Sequence, residues 1–130
     1  MKIIKGVPPN IEKIKKKFNL TGINVVFTYG DTIYSPHSDK LPEHLIVHER
    51  VHEKQQGKEP EQWWNRYLSE DNFRIQQESE AYRTQYNFVA PKVSRQQRRQ
   101  FLKELATSFS SKMYGSILTF NQAKELICPN

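Results

Sequence analysis

The amino-acid sequence predicts an α+β fold that is mainly helical and contains a small antiparallel β-hairpin. Residues 23–34 are rich in β-branched and aromatic side chains, and Gly30-Asp31 within them can form a two-residue turn. From Pro42 onward, apolar side chains recur at the three- to four-residue spacing of helices. We therefore expect the hairpin to come directly before the helical part of the chain.

The bulk composition is that of one folded domain. The chain has 130 residues, 36% hydrophobic and 12% aromatic, which is enough for one core but not for two. We expect a single domain over residues 1–130. Cys128 is the single cysteine, which excludes a disulfide framework and a cysteine-rich metal site. No apolar run is long enough for a signal peptide or a membrane span, so we expect a cytoplasmic protein without a membrane partner.

Capping and breaking residues place the helices along the chain. Pro42 suits the first turn of a helix that Gly57 ends, and Ser94 can cap a later helix. Trp63 and Trp64 lie on the apolar side of a helix, and we interpret them as core residues rather than as a binding platform. The expected helices cover residues 10–18, 42–56, 60–68, 73–89, 95–113 and 121–127.

The helix over residues 42–56 carries a metal-binding pattern. The segment His48-Glu49-Arg50-Val51-His52 reads H-E-x-x-H, and histidines four residues apart project from one face of a helix. A zinc ion held by two imidazoles and a third protein ligand keeps one position open for water. Glu49 lies beside that face, where it can accept a proton as general base. The pattern predicts Zn²⁺ as cofactor, His48 and His52 as ligands, and Glu49 as the catalytic residue.

The helix over residues 73–89 offers two candidates for the third ligand, Glu78 and Glu80. They point about 160° apart, because each helical residue turns by about 100°. Glu78 shares its side with apolar residues, whereas Glu80 lies among polar ones. A carboxylate on an apolar face requires a partner, and a zinc ion can be that partner. We predict Glu78 as the third ligand, with Glu80 as the alternative.

These residues resemble the gluzincin group of zinc metallopeptidases. The resemblance rests on His48-Glu49-x-x-His52, followed after 25 residues by Glu78-Ser79-Glu80-Ala81-Tyr82. It extends over roughly residues 23–86 and is strongest toward small phage and bacterial peptidase-like proteins of a minimal type. The resemblance implies a zincin-like domain that hydrolyses peptide bonds in a peptide or protein substrate. It also implies that the third zinc ligand is a glutamate on the next major helix.

Two features depart from the gluzincin pattern. Arg50 and Glu53 are charged where relatives usually have uncharged residues, but Arg50 lies about 200° from His48 on the helix and can face solvent. Tyr82 stands where many relatives have an aspartate that hydrogen-bonds a ligand histidine. That role is then either vacant or taken by Glu80, by Asp71 or by a backbone carbonyl.

Other parts of the chain could assist the chemistry. Tyr82, Tyr114 and His37 are candidates for stabilising the oxyanion of a tetrahedral intermediate. The edge of the hairpin could pair with an extended substrate. His44 is one turn before His48, but it would lie about 12 Å from His52, which is too far for one ion. We therefore interpret His44 as a surface residue or as a support for the ligands.

The net charge of +6 makes a nucleic-acid partner possible. Basic residues concentrate at 13–17 and 95–103, but each cluster lies on a predicted helix whose other face is apolar, which is typical of a solvated surface. The motif residues make peptide hydrolysis by a zinc-bound water the leading hypothesis. The alternatives are a zinc-stabilised binding or structural protein and a DNA-associated protease similar to the SprT-like group.

Overall fold

The computed structural model describes residues 1–20, 25–111 and 114–129, and it is α+β, as the sequence predicts. The described strands are β1 (Lys2–Lys5), β2 (Phe27–Tyr29) and β3 (Thr32–Ser35). The described helices are α1 (Ile11–Lys17), α2 (Glu43–Gln56), α3 (Pro60–Ser69), α4 (Asp71–Val89), α5 (Arg95–Phe109) and α6 (Phe120–Ile127), and a 3₁₀ turn at Ala90–Lys92 joins α4 to α5.

The three strands form a mixed sheet in the order β1-β3-β2. β2 and β3 are the predicted antiparallel hairpin, and Gly30 takes a positive φ of 62° in the turn between them. β1 pairs in parallel with β3, so the sheet is mixed, and the sequence predicts only its antiparallel part. Four residues with the sequence Lys-Ile-Ile-Lys give no alternation from which this strand could be predicted. Positions 23–24 of the predicted first strand lie outside the described residues.

Most helix boundaries agree with the sequence analysis. α2 begins after Pro42 and ends at Gly57, whose φ is 55°. Ser94 caps α5 in a capping box with Gln97. α4 begins at Asp71, two residues before its predicted start, because Glu70 supplies the extended residue that precedes it. α5 ends at Phe109, before its predicted end at 113, and positions 112–113 lie outside the described residues.

The helix α4 organises the core, since it packs against α2, α3, α5 and α6. One cluster of buried side chains extends from α1 through α3 and α4 to α6. Trp63 and Trp64 are buried members of this cluster, so their interpretation as core residues is confirmed. Their indole nitrogens donate to the side-chain carbonyl of Gln77 and to the backbone carbonyl of Thr28, which joins α3 to α4 and to β2. The helix α2 packs against both β2 and α4, so its H-E-x-x-H motif lies between the hairpin and α4.

Arg74 on α4 is a buried charge that joins three segments of the chain. Its side chain is 1% exposed and donates to the backbone carbonyls of Tyr67 and Tyr114. It also forms an ion pair with Asp71 at 2.6 Å, and its guanidinium lies over the ring of Phe18. Buried charges are tolerated when they are paired and hydrogen-bonded, and Arg74 meets both conditions. It fixes the backbone at Tyr67 and Tyr114.

Among the described residues, no helix combines the length and the apolar character that crossing a membrane requires.

Replacing Arg74 tests its role in holding these segments together. Arg74→Leu should lower the free energy of unfolding by about 2–4 kcal/mol, because two backbone carbonyls lose their donor. Urea denaturation measures this change. Arg99→Leu, at an exposed position of α5, is the control and should change the free energy by less than about 0.5 kcal/mol. Equal effects of the two substitutions would show that Arg74 does not hold the segments together.

Candidate metal centre

The helix α2 places its three motif residues at a buried interface with α4. His48, Glu49 and His52 are 3%, 5% and 4% exposed. The four-residue spacing puts both imidazoles on the side of α2 that faces α4, where their Nε2 atoms converge. Arg50 between them is exposed, as its position on the helix predicts. The charged residue within the motif therefore leaves the buried face intact.

The helix α4 brings Glu78 to the two histidines. Its Oε1 lies 3.1 Å from the Nε2 of His48 and 3.1 Å from the Nε2 of His52. The ligand atoms of the three residues all lie within 4.8 Å of one another. Glu78 is 3% exposed, whereas Glu80 is exposed. The structure thus brings together the three predicted ligands and places Glu80 outside the cluster.

The donor set fits a zinc ion. Two imidazole nitrogens and one carboxylate oxygen are common zinc ligands, and the set leaves a fourth position for water or substrate. Ligands about 2.0–2.1 Å from a tetrahedral zinc lie about 3.3 Å from one another. The two 3.1 Å separations are close to that value. The ligand nitrogens of the two imidazoles lie within 4.8 Å of each other, and they would have to reach a similar separation for His48, His52 and Glu78 to hold the ion.

The Nδ1 atoms of both imidazoles contact glutamines, and the sequence analysis did not identify these glutamines. The Nδ1 of His48 lies 2.8 Å from the Oε1 of Gln85, and the Nδ1 of His52 lies 2.8 Å from the Oε1 of Gln55. Glu80 and Asp71, two of the alternatives for this supporting role, do not take it. Asp71 pairs with Arg74, and the Glu80 carboxylate contacts the Gln55 amide at 3.4 Å.

Helical spacing could have revealed both glutamines. Gln55 lies three residues after His52, and Gln85 lies seven residues after Glu78, so each shares a helix face with a ligand. The gluzincin pattern has an acidic partner for a ligand histidine, whereas a glutamine carbonyl accepts the same hydrogen bond without a charge.

Tyr67 on α3 orients the carboxylate of Glu78. Its hydroxyl donates to Glu78 Oε2 at 2.5 Å, while Oε1 faces the histidines. Burial raises the pKa of Tyr67, and the nearby charge of Glu78 raises it further, so the hydroxyl keeps its proton. Tyr67 lies four residues after Trp63, so the sequence places it on the apolar side of that helix and gives no sign of a polar role. Its polar role depends on how α3 packs on α4, which periodicity alone does not specify.

Glu49 is held beside the cluster by the hairpin. Thr28 on β2 donates to Glu49 Oε1 at 2.9 Å, and Glu49 Oε2 lies 3.7 Å from the Nε2 of His48. Burial raises the pKa of Glu49, although both histidines and the Thr28 hydrogen bond act in the opposite direction. A carboxylate with a raised pKa is suited to exchange protons near neutral pH.

Two cavities border His48 and Glu49. The smaller, about 30 Å³, reaches all three predicted ligands and is otherwise lined mainly by apolar and aromatic side chains of α1, β2 and α3. Its volume is that of about one water molecule. The larger, about 150 Å³, lies toward α5 and includes Val25, Val26 and Leu105 in its lining. Val26 and Tyr114 line both cavities, so they lie at the boundary between them.

The three oxyanion candidates occupy different places. Tyr114 lines both cavities, and its hydroxyl lies 2.8 Å from that of Tyr82. Tyr82 lines the larger cavity, and its hydroxyl also contacts Ser108 at 2.9 Å. His37 is an exposed loop residue that lines neither cavity. Among the candidates, Tyr114 is thus best placed to reach a group bound beside Glu49.

His44 contacts the Gln85 amide and is not one of the clustered ligand residues.

The charges of His52 and Glu78 depend on each other. Burial lowers the pKa of His52, but the charge of Glu78 and its hydrogen bond outweigh burial and raise the pKa of His52 to about 9. Burial likewise raises the pKa of Glu78, yet His52 and His48 outweigh it and hold that pKa below its usual range. In the metal-free protein at neutral pH, a protonated His52 therefore neutralises the buried Glu78 carboxylate.

This coupling predicts a pH dependence for protein stripped of metal with a chelator. Because the folded-state pKa of His52 exceeds its ordinary value of 6.5, its contribution to stability is complete below pH 6.5 and disappears as the pH rises through about 9. The free energy of unfolding, measured in urea at a series of pH values, should fall across that window. His52→Gln should weaken the fall. If both proteins show the same pH profile, the His52–Glu78 coupling is wrong.

Comparisons with protein-family models, curated proteins and solved structures gave no match for this chain. The resemblance to gluzincins therefore stays a prediction from the motif residues.

Proposed function

We propose that the protein is a zinc-dependent metallopeptidase in which His48, His52 and Glu78 hold the metal and Glu49 is the general base. One observation carries the proposal. Three buried ligand atoms from α2 and α4 converge within 4.8 Å, and the carboxylate of Glu49 lies beside them at the wall of two cavities. A site with only a structural role has no use for this second carboxylate beside the ligands.

The roles of the chain's own residues follow from their positions. A bound zinc ion supplies a Lewis acid that lowers the pKa of water and polarises a carbonyl group. Thr28 holds Oε1 of Glu49, so Oε2 is the oxygen closer to His48 and is placed to take a proton from water. Glu49 then passes this proton to the amine that leaves. Tyr114 can donate a hydrogen bond from its hydroxyl to the developing oxyanion.

The hairpin limits where a substrate strand can bind. On the outer edge of β2, the amide of Gln56 donates to the carbonyl of Thr28 and accepts from the backbone N–H of Gly30. These backbone groups are already paired, so the expectation that a substrate pairs with the hairpin edge does not apply to Thr28–Gly30. The preceding residues Val25 and Val26 border the larger cavity. We propose that an extended peptide binds along this segment, with its carbonyl directed toward Glu49.

A zinc-stabilised binding or structural protein is the second candidate function. The observation that favours it is burial, because His48, Glu49, His52 and Glu78 are each at most 5% exposed. In this role the ion would hold α2 against α4, and no substrate would reach it. This function predicts tight zinc binding without any hydrolysis, whereas the first predicts both.

The basic clusters give little support to a DNA-associated protease. Exposed lysines on α1 and exposed arginines on α5 provide positive charge, but none of them lines either cavity beside Glu49. A protein that binds DNA through these residues would show affinity that falls steeply with salt. Absence of such binding would leave the clusters as a solvated surface.

The choice of third ligand is tested by two substitutions that remove the same charge from the same helix. Glu78→Gln should weaken zinc binding by more than about 100-fold, which exceeds the loss of about 10- to 100-fold typical of residues that only support a ligand. Glu80→Gln is the matched control and should change the affinity by less than about 10-fold. Competition with a chromophoric chelator measures both constants. The reverse ranking would make Glu80 the ligand.

The catalytic role of Glu49 is tested by Glu49→Gln, with Glu53→Gln on the same helix as control. Glu49→Gln should keep one zinc per chain yet lose about 10²- to 10⁴-fold in hydrolysis, because an amide cannot accept the proton. Metal analysis and cleavage of a fluorescent casein measure the two properties. Unchanged hydrolysis in Glu49→Gln would rule out this base. A wild-type protein that is full of zinc but cleaves no substrate would favour the structural role.

A further inference from the structure

We propose that Gln55 and Gln85 are positioning residues that keep Nδ1 of His52 and His48 protonated and thereby set the zinc affinity of the site. The proposal rests on the metal site proposed above and extends it to two side chains that do not touch the metal. It starts from the two 2.8 Å contacts between imidazole Nδ1 and glutamine Oε1.

The orientation of the Gln55 amide is fixed by its own partners. Its Nε2 lies 3.0 Å from the backbone carbonyl of Gln77 and 3.4 Å from Oε1 of Glu80. Both partners only accept hydrogen bonds, so the amide nitrogen must face them. The carbonyl oxygen of Gln55 then faces His52. A carbonyl oxygen only accepts, so Nδ1 of His52 must carry the proton.

Gln85 makes the corresponding contact on the other imidazole. It is 3% exposed, its Oε1 contacts Nδ1 of His48, and its Nε2 lies 2.8 Å from Nδ1 of His44. When the amide donates to His44, Nδ1 of His44 accepts and Nδ1 of His48 donates. This arrangement gives His44 a function, because it orients the amide that orients a ligand. His44→Ala should therefore weaken zinc binding less than loss of Gln85 itself.

The two contacts together point both Nε2 atoms at Glu78. With each Nδ1 protonated, Nε2 of a neutral imidazole offers only a lone pair, and both Nε2 atoms lie 3.1 Å from the same carboxylate oxygen. Lone pairs and a negative charge converging on one point repel one another unless a proton or a cation lies between them. The glutamines therefore prepare the site for a cation.

The neutral charge of the amides has a measurable consequence. Carboxylates in this position raise the basicity of the imidazole and tighten metal binding, and loss of such partners typically changes affinity by about 10- to 100-fold. An amide accepts the same hydrogen bond but supplies no charge. The site should therefore bind zinc less tightly than the same site with a carboxylate, and a glutamate at position 85 should increase the affinity.

The experiment compares the dissociation constant for zinc in three variants at constant pH. Gln85→Met keeps the length of the side chain but removes the acceptor, so it should weaken binding by about 10- to 100-fold. Gln85→Glu restores an acceptor and should bind at least as tightly as wild type. Gln76→Glu, exposed on the same helix, controls for added charge and should bind like wild type. Weakening by Gln85→Met and Gln85→Glu to the same extent would overturn the proposal, because position 85 would then contribute only packing.

Nitrogen-15 NMR of the histidine side chains in metal-free protein provides a readout that needs neither folded variants nor zinc. The spectra are recorded above pH 9, where the ring of His52 is neutral and carries a single proton. We expect this proton on Nδ1 in both His48 and His52, and a neutral ring protonated at Nε2 instead would overturn the proposal. Failure of the wild-type protein to bind zinc would instead overturn the proposed function, while the NMR result would still decide the protonation of the two rings.

Discussion

The arrangement of this fold depends on one buried carboxylate. Glu78 lies in the middle of α4, is 3% exposed and cannot remain charged there without partners. Three side chains from two other helices supply them: the imidazoles of His48 and His52 on α2, and the hydroxyl of Tyr67 on α3. Because removal of one partner leaves the others with an unpaired buried charge, the rotation and depth of α2 and α3 against α4 are specified together.

A second buried charge, Arg74, lies one turn earlier on α4. It donates to backbone carbonyls at Tyr67 and Tyr114, both of which also contribute side chains to the smaller cavity. The same helix thus holds Glu78, the proposed third ligand, and the residue that fixes two walls of the cavity. This explains why α4 has a mixed pattern, since its buried face carries charged, polar and aromatic residues instead of an apolar stripe. The polar core residues connect the stability of the fold to the geometry of the site.

The sequence predicts those features that depend on local periodicity. The hairpin turn at Gly30, the helix that carries His48 and His52, and the inward direction of Glu78 all follow from residue spacing within one element. The strand β1 and the contacts of Gln55, Gln85 and Tyr67 depend instead on which elements meet in three dimensions. Glutamine and tyrosine occur on many helix faces without a functional role, so their spacing gains meaning only when the facing helix is known.

The arrangement of His48, His52 and Glu78 could hold a cation. Glu78 attracts a proton to His52, and the raised pKa of that imidazole shows how strongly the carboxylate favours a positive charge at this point. A zinc ion would compete with that proton for the same lone pair, so metal binding should release it. Gln55 and Gln85 contact the rings at Nδ1, while Nε2 faces Glu78, so these contacts would not have to break if a metal replaced the proton. The proton therefore preserves the geometry of the site and lowers its zinc affinity at the same time.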